Sequence, residues 1–368
     1  MHNSGDNALT PGSIPDRTWH YNTIGFYGQD DVRVRTNLTL NLGLRYEFQT
    51  VPQDIHGIQS ALRNVLTDAL ATIGPPFENP SLLNFSPRFG FAWDVRGNGA
   101  TAIRGGFGEL FDLGLYAQAL AIATTGTPPY ASNSVVNTPG TLTLPLLFPA
   151  SAAGKSLRTQ DYHMRQPHLL SYNLTVERQL PQKMVLTAAY AGSRGINVVT
   201  TTEGNPTVPQ GMGVNGVCVP APAPMVADVH RSNACWLGND PRANPNWANM
   251  EYKTAGSSSW YNSLQTSLVK QLSNRLQFQS SYTWSKLIDF EQGQATGDNN
   301  GSSLYISDPS NRGRDRAVAD FDITHILRLN GIYELPRLFS GTPLGGIFSG
   351  WRRAACFRLP PVFRSAQR

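Results

Sequence analysis

Charge is scarce in this sequence: Asp, Glu, Lys and Arg make up only 15% of its 368 residues. The formal net charge of +5 is a mild excess for such a length. The basic residues are scattered, and no dense basic run marks a nucleic-acid groove, so no nucleic-acid partner is expected. Cysteine is scarcer still, at three residues, and no CxxC occurs, which argues against a zinc site. No apolar run reaches the roughly 20 residues that a spanning helix needs. The longest, Leu113 to Ala123, is about half that and contains Gln118. A bundle of membrane helices is thereby excluded. A membrane β-barrel is not, because only alternate residues of its strands meet lipid and its mean hydropathy stays low; here it is -0.29. The opening MHNSGDNALTPGSIPD lacks a charged stretch followed by an apolar one. It is not a secretory signal, so a barrel protein with this start is expected to have lost its beginning or to be a fragment.

Alternation is what the sequence has in abundance. Leu38, Leu40, Leu42, Leu44, Tyr46 and Phe48 take every even position, with Thr39, Asn41, Gly43, Arg45 and Glu47 between them. Period two held for about eleven residues predicts one tilted spanning strand. Ile24, Phe26, Val32 and Val34 alternate with Gln29, Asp31, Arg33 and Arg35 just before it, and the two segments read as a hairpin. The design recurs from Phe89 to Glu109, from Leu170 to Tyr190, from Leu264 to Trp284 and from Ile323 to Leu335. About nine or ten strands result.

Connections within hairpins are a handful of residues. Those between hairpins run to roughly 35, 55, 65 and 35, far above the median of about 4–6. Short turns alternating with long loops predict an antiparallel up-and-down transmembrane barrel, with the long loops at one rim, outside the cell. Tyr46, Phe48, Tyr190, Tyr282, Trp284 and Tyr333 fall towards strand ends, where an interfacial girdle belongs. Charged strand residues are expected in the lumen: Asp31, Arg33, Arg45, Glu47 and Arg104. In the first long loop, Ile58, Leu62, Val65, Leu66, Ala69 and Ile73 have the spacing of a short amphipathic helix. Cys218 and Cys235 bracket a segment rich in Pro and Asn; a disulfide on an oxidising cell surface and two free thiols both remain open.

No catalytic constellation emerges, and the chain is read as not an enzyme. The seven histidines show neither HExxH nor i,i+4 metal spacing. Gly192-Ser193-Arg194-Gly195 lacks GxSxG spacing. Asp30-Asp31 and the Glu109/Asp112 pair are better read as lumen charges neutralised by arginine than as paired catalytic acids. Asp298-Asn299-Asn300-Gly301, followed by Asp308, Asp315, Asp320 and Asp322, offers oxygen ligands for Ca²⁺, but interleaved Arg312, Arg314 and Arg316 would repel a cation. No cofactor or metal is expected.

Five stretches carry a resemblance: FYGQDDVRVRTNLTLNLGLRYE, FSPRFGFAWDVRGNGATAIRGGFGELFD, HLLSYNLTVERQLPQKMVLTAAYAGSRG, YNSLQTSLVKQLSNRLQFQSSYTWSKLID and ADFDITHILRLNGIYELP. In this order and spacing the chain resembles the barrel region of TonB-dependent outer-membrane receptors, in particular the Oar-like branch. The resemblance implies a barrel of about 22 strands, of which this chain supplies under half, plugged by a domain through which TonB acts. It implies outer-membrane lipid as a partner and passage of an unidentified bulky substrate; a surface-exposed structural or adhesive barrel and a non-functional truncated fragment are the alternatives. The expected layout is an irregular segment over 1–20, a partial barrel over 21–351, and an aberrant, disordered tail over 352–368, whose RRAACFRLPPVFRSAQR leaves the strand pattern. A sheet lacking over half its strands should stay open, with Ile24–Val34 and Ile323–Leu335 as its edges.

Overall fold

The computed structural model of the chain describes residues 8–9, 12–113, 127–131, 133–134, 156–222, 232–290, 306, 311–335 and 351–358. It is all-β. Ten strands form the ordered path of one twelve-stranded sheet, to which Leu157–Gln160 and Ala317–Val318 add short pairings: β1 (Thr23–Arg35), β2 (Leu38–Gln49), β3 (Phe85–Asp94), β4 (Thr101–Phe111), β5 (His168–Leu180), β6 (Met184–Glu203), β7 (Met250–Ser273), β8 (Leu276–Asp289), β9 (His325–Glu334) and β10 (Arg352–Arg358). They lie side by side in chain order, each antiparallel to the next. The sheet is open. β1 and β10 are its edges among the described residues.

Each hairpin closes by local chemistry. Asn274 and Arg275 take φ of 52° and 67° between β7 and β8, the left-handed geometry that suits strand twist. Between β3 and β4 the Asp94 carboxylate accepts the backbone N–H groups of Gly97 and Gly99, at 3.0 and 2.6 Å. Thr36, Asn98, Pro181 and Asn274 therefore share one rim. The long connections, residues 50–84, 112–167, 204–249 and 290–324, leave from the other. Gly57, Tyr130 and Asn215 lie there; Asn300 is outside the described residues.

Four expectations need correction. The connection between β9 and β10, residues 335–351, is long yet leaves from the short-turn rim, because Glu334 pairs with Arg352 beside the β7–β8 turn. The tail is also not wholly irregular. Arg352–Arg358 pairs with β9, so β9 is not an edge. A free backbone edge recruits a strand through main-chain groups and does not require alternating side chains. The helix expected over Ile58–Ile73 is absent. Ser60–Ala61 pairs with Thr72–Ile73, and the Asp68 carboxylate takes the N–H groups of Arg63 and Asn64 at 2.8 and 2.9 Å. Such side-chain acceptors offer the backbone an alternative to helical bonding. Finally, β6 and β7 run well past the expected strand ends, pairing as far as Glu203 with Glu251.

That extension carries the only apolar core cluster among the described residues. Leu62, Leu157, Trp247 and Met250, each at most 3% exposed, come from three long connections and the start of β7, with Val65 and Ala71 against them. Leu157–Gln160 adds to β7 as a parallel strand. The connections thus fold into a head above the sheet. The sheet has no such core, and Phe26, Leu44, Leu174 and Trp284 are 64, 51, 47 and 54% exposed.

Candidate functional site

Register decides which side chains share a face, because partners directly opposite point the same way and alternate residues point oppositely. From β1, Asp31 faces Asn41 and Arg33 faces Thr39. Arg45 lies between Tyr27 and Ser86, and Gly43 pairs with Arg88. Across β3 to β5, Ala92, Arg104 and Thr175 form one row, and Gly90, Gly106 and Asn173 another. The rows continue as Thr175, Ala189, Gln265 and Thr283, and as Ser171 and Ser193. This face is mostly polar or small, with Leu110, Leu169, Val185, Val269, Ile326 and Ile332 as apolar exceptions. All five sequence candidates, Asp31, Arg33, Arg45, Glu47 and Arg104, lie on it, and so do Arg88 and Glu177, which sequence reasoning left out although their parity already assigned them.

The opposite face holds Phe26, Leu40, Leu42, Leu44, Phe89, Phe91, Leu174, Leu186, Leu264, Tyr282 and Leu327 by the same pairings. Its aromatics include residues at both rims and others at mid-strand, such as Phe89, Phe91 and Phe107. Tyr46 lies 4.6 Å from Phe85 between ring centroids, and the Tyr282 hydroxyl is 2.9 Å from His325 Nδ1, at the long-connection end. Tyr333 and Phe278 lie at the short-turn end. Tyr172 and Tyr190 stack at 6.1 Å and both donate to Asn262 Oδ1, at 3.3 and 2.5 Å. Gly192 sits directly opposite Tyr172, and a Cβ there would lie 2.3 Å from the ring, so only glycine leaves room.

Charges on the polar face are partly spent on one another. Arg45 pairs with Glu47 and Arg104 with Glu177. Asn41 Nδ2 donates to Asp31 Oδ1 at 2.5 Å, and Arg33 Nη2 to the Thr36 carbonyl at 2.9 Å. These pairs are at least partly solvated, where ion pairs contribute only about 0–1 kcal/mol. They keep the wall hydrophilic and add little rigidity. The charges fall on β1 to β5 and again on β9 and β10, where Arg328, Glu334, Arg352 and Arg358 share this face and Arg352 pairs with Glu334; the same face of β6 to β8 carries mainly hydroxyls and amides.

Above the rim, the head is held by buried polar clasps. Asn205 and Asn244 are fully buried. Asn205 Nδ2 reaches the carbonyls of Asn244, Trp247 and Ala248, each at 2.9 Å, and its Oδ1 accepts Asn244 N–H at 2.6 Å. Asn244 Nδ2 then reaches the Val65 and Asp68 carbonyls at 3.0 and 2.9 Å, tying the third long connection to the first. The Asp54 carboxyl would be raised by its burial. Backbone N–H groups of Thr18, Ile58 and His56 outweigh that and hold it below its ordinary range. Burial pushes the Tyr252 phenol well up, and the neighbouring Asp161 carboxylate pushes the same way. Cys218 and Cys235 are bonded, at 1.99 Å. They flank Gly211, where a Cβ would lie 2.4 Å from Cys218 Sγ. Cys356 is free and exposed on β10.

Among the described residues no group of three or more His, Cys, Asp or Glu is arranged to hold a metal ion. Asp298 to Gly301 and Asp308 lie outside them. Asp322 is spent on structure, accepting Leu287 N–H at 2.7 Å and the Thr324 hydroxyl at 2.9 Å.

Comparison with known proteins follows the same lines. The family described as "Outer membrane beta barrel domain" matches residues 4–359. Proteins of curated function give no match by sequence. Solved structures similar to this chain include the outer membrane transporter YddB from Escherichia coli, at 11% identity and a TM-score of 0.46, over 93% of this chain and 38% of that one. The siderophore receptor PirA from Pseudomonas aeruginosa is similar at 12% identity and 0.37, over 87% and 43%. The pyoverdine receptor FpvA from Pseudomonas aeruginosa PAO1 is similar at 12% and 0.39, over 86% and 28%. The chain spans less than half the length of each.

Proposed function

The chain belongs to the outer-membrane β-barrel domain family and so resides in the outer membrane; from that premise we propose that it forms part of the wall of a TonB-dependent receptor of the Oar-like branch, passing a bulky substrate across the membrane. The observation that carries this reading is the continuity of the two faces over ten strands. A lipid-facing surface and a hydrated surface are what a wide, water-filled passage requires. In this reading Asp31, Arg33, Arg45, Glu47 and Arg104 line the lumen, the head gathers substrate above it, and the chain acts by binding and passage, with no bond-making step. TonB acts through a plug seated against the polar face.

The experiment uses adjacent residues of β7. In a Cys356→Ser background, Gln265→Cys and Leu264→Cys are each treated in intact cells with a water-soluble, membrane-impermeant thiol reagent. Gln265→Cys should label and Leu264→Cys should not; the reverse order would invert the assignment of faces. Discharging the proton gradient with a protonophore should alter labelling at Gln265→Cys, because TonB draws on that gradient. A second reading, a surface-exposed adhesive barrel, is favoured by the head's own apolar core and disulfide. Labelling that ignores the gradient would select it.

A further inference from the structure

At the rim, residues 78–84 and 163–166 lie beside the ends of β4 and β5 and line an open cavity of about 390 Å³. Its floor is Phe111 and His168, with ring centroids 5.4 Å apart. Both belong by register to the apolar face, so the cavity is separate from the polar wall and does not depend on the transport reading. Met164, 5% exposed, and Leu83 supply apolar surface. Two carboxylates nearby are already matched: His163 Nδ1 lies 2.6 Å from Glu78 Oε2, and His168 Nε2 lies 3.7 Å from Glu109 Oε1. Arg165 also lines the cavity and has no ion pair among the described residues. Asn84, only 1% exposed, lines it too, and its Nδ2 has no hydrogen-bond partner.

We propose that this cavity binds a sugar acid, a single pyranose unit bearing a carboxylate. The volume lies in the range of small-ligand sites and holds one such ring. The unspent guanidinium of Arg165 presents parallel N–H donors matched to a carboxylate. A buried amide donor without a partner is costly, and a ring or hydroxyl oxygen satisfies Asn84. Phe111, Met164 and Leu83 receive the C–H face of the ring. Glu78, held by His163, is an acceptor for hydroxyls. A neutral sugar leaves Arg165 unused, and an apolar ligand leaves Asn84 unmet. The unit can arrive free or at the head of an outer-leaflet glycolipid; the chemistry is the same.

The test is calorimetric titration of the protein, extracted from outer membranes in detergent, with galacturonic acid and separately with galactose. Galacturonate should bind with a Kd on the order of 1 mM or tighter, and galactose at least about tenfold more weakly. Arg165→Met, at an exposed position outside the core, should weaken galacturonate about tenfold and leave galactose unchanged. Asn84→Leu should weaken both, with tryptophan fluorescence confirming that the head is folded. No heat from galacturonate, or equal affinities in the wild type and Arg165→Met, would overturn the proposal. Vesicles carrying a galacturonate-headed glycolipid distinguish the sources. Binding that free galacturonate competes away identifies the lipid-borne unit, and binding of the free acid alone identifies the soluble one.

Discussion

Replacing Asn205 by leucine should open the head and leave the wall intact. The two side chains are close in volume, so the change tests hydrogen bonding rather than packing. In the wild type two Nδ2 hydrogens serve three carbonyls at 2.9 Å, and Oδ1 serves Asn244 N–H at 2.6 Å. In Asn205→Leu that N–H and the carbonyls lose their partner inside a fully buried site. A buried group left unsatisfied costs about 1–3 kcal/mol, with the donor the dearer because carbonyls keep other contacts; about 2–4 kcal/mol is expected in total. Hydrogen exchange at Asn244 N–H and at the Trp247 indole, which donates to the Asp68 carbonyl at 2.9 Å, should accelerate by about 30- to 1,000-fold. Backbone amides at the centre of β5 and β6 should exchange unchanged. Asn205→Asp sharpens the argument. It keeps the acceptor for Asn244 but turns a carboxylate towards three carbonyls, which raises its folded pKa above the unfolded one. More protons are then bound in the folded state, so the lost protection should return as pH falls through the raised folded value. Equal acceleration in head and wall, or none, would refute the view that the asparagine clasp holds the head as a separate unit.

Three further outcomes follow from the geometry. Gly192→Ala should drive Tyr172 off Asn262 and lower the stability of the β5–β6 region by about 1–3 kcal/mol, read from urea unfolding in detergent; an unchanged midpoint would mean the ring has room to swing aside. Asp54 has a depressed folded pKa, so its contribution is complete above the ordinary carboxylate range, near pH 4, and is lost as pH falls through the folded value. Proteolysis of residues 50–84 should therefore rise below about pH 4, and Asp54→Asn should flatten that rise. Cys218→Ser opens a bond whose partners are 17 residues apart, worth about 3 kcal/mol by chain entropy; non-reducing peptide mapping and local exchange over 211–235 check it.

The wall was legible because lipid imposes its own alphabet. From Leu38 to Phe48 every second residue had to be apolar, and counting by two sufficed to find the strand, its face and the sidedness of Arg45 and Glu47. The same rule failed where lipid ends. Val198, Val199, Thr200, Thr201 and Thr202 continue β6 above the rim, where both faces meet protein or water and alternation has no reason to persist; only their β-branching hinted at a strand. The head stayed hidden for a related reason. Leu62, Leu157 and the Trp247–Met250 pair come from distant parts of the chain, and no local period announces a core assembled from three places. Asn205 and Asn244 looked like ordinary loop polars, since their value lies in the partners that long-range folding brings.

With an apolar face turned outward on the wall and an apolar core turned inward in the head, this polypeptide is built for two solvents at once. The wall's stability is set by the bilayer around it, and the head's by water. Detergent exchange should therefore loosen the wall first and urea the head first, so a single melting temperature would describe neither. During assembly the two parts face opposite hazards, because the surface that must stay bare to enter lipid is the one that aggregates in water, while the head can bury its own apolar surface before any membrane is reached. β6 and β7 both cross that frontier, with a bulge at Ile196–Val199, and through them a disturbance in the lipid has a mechanical route into the head.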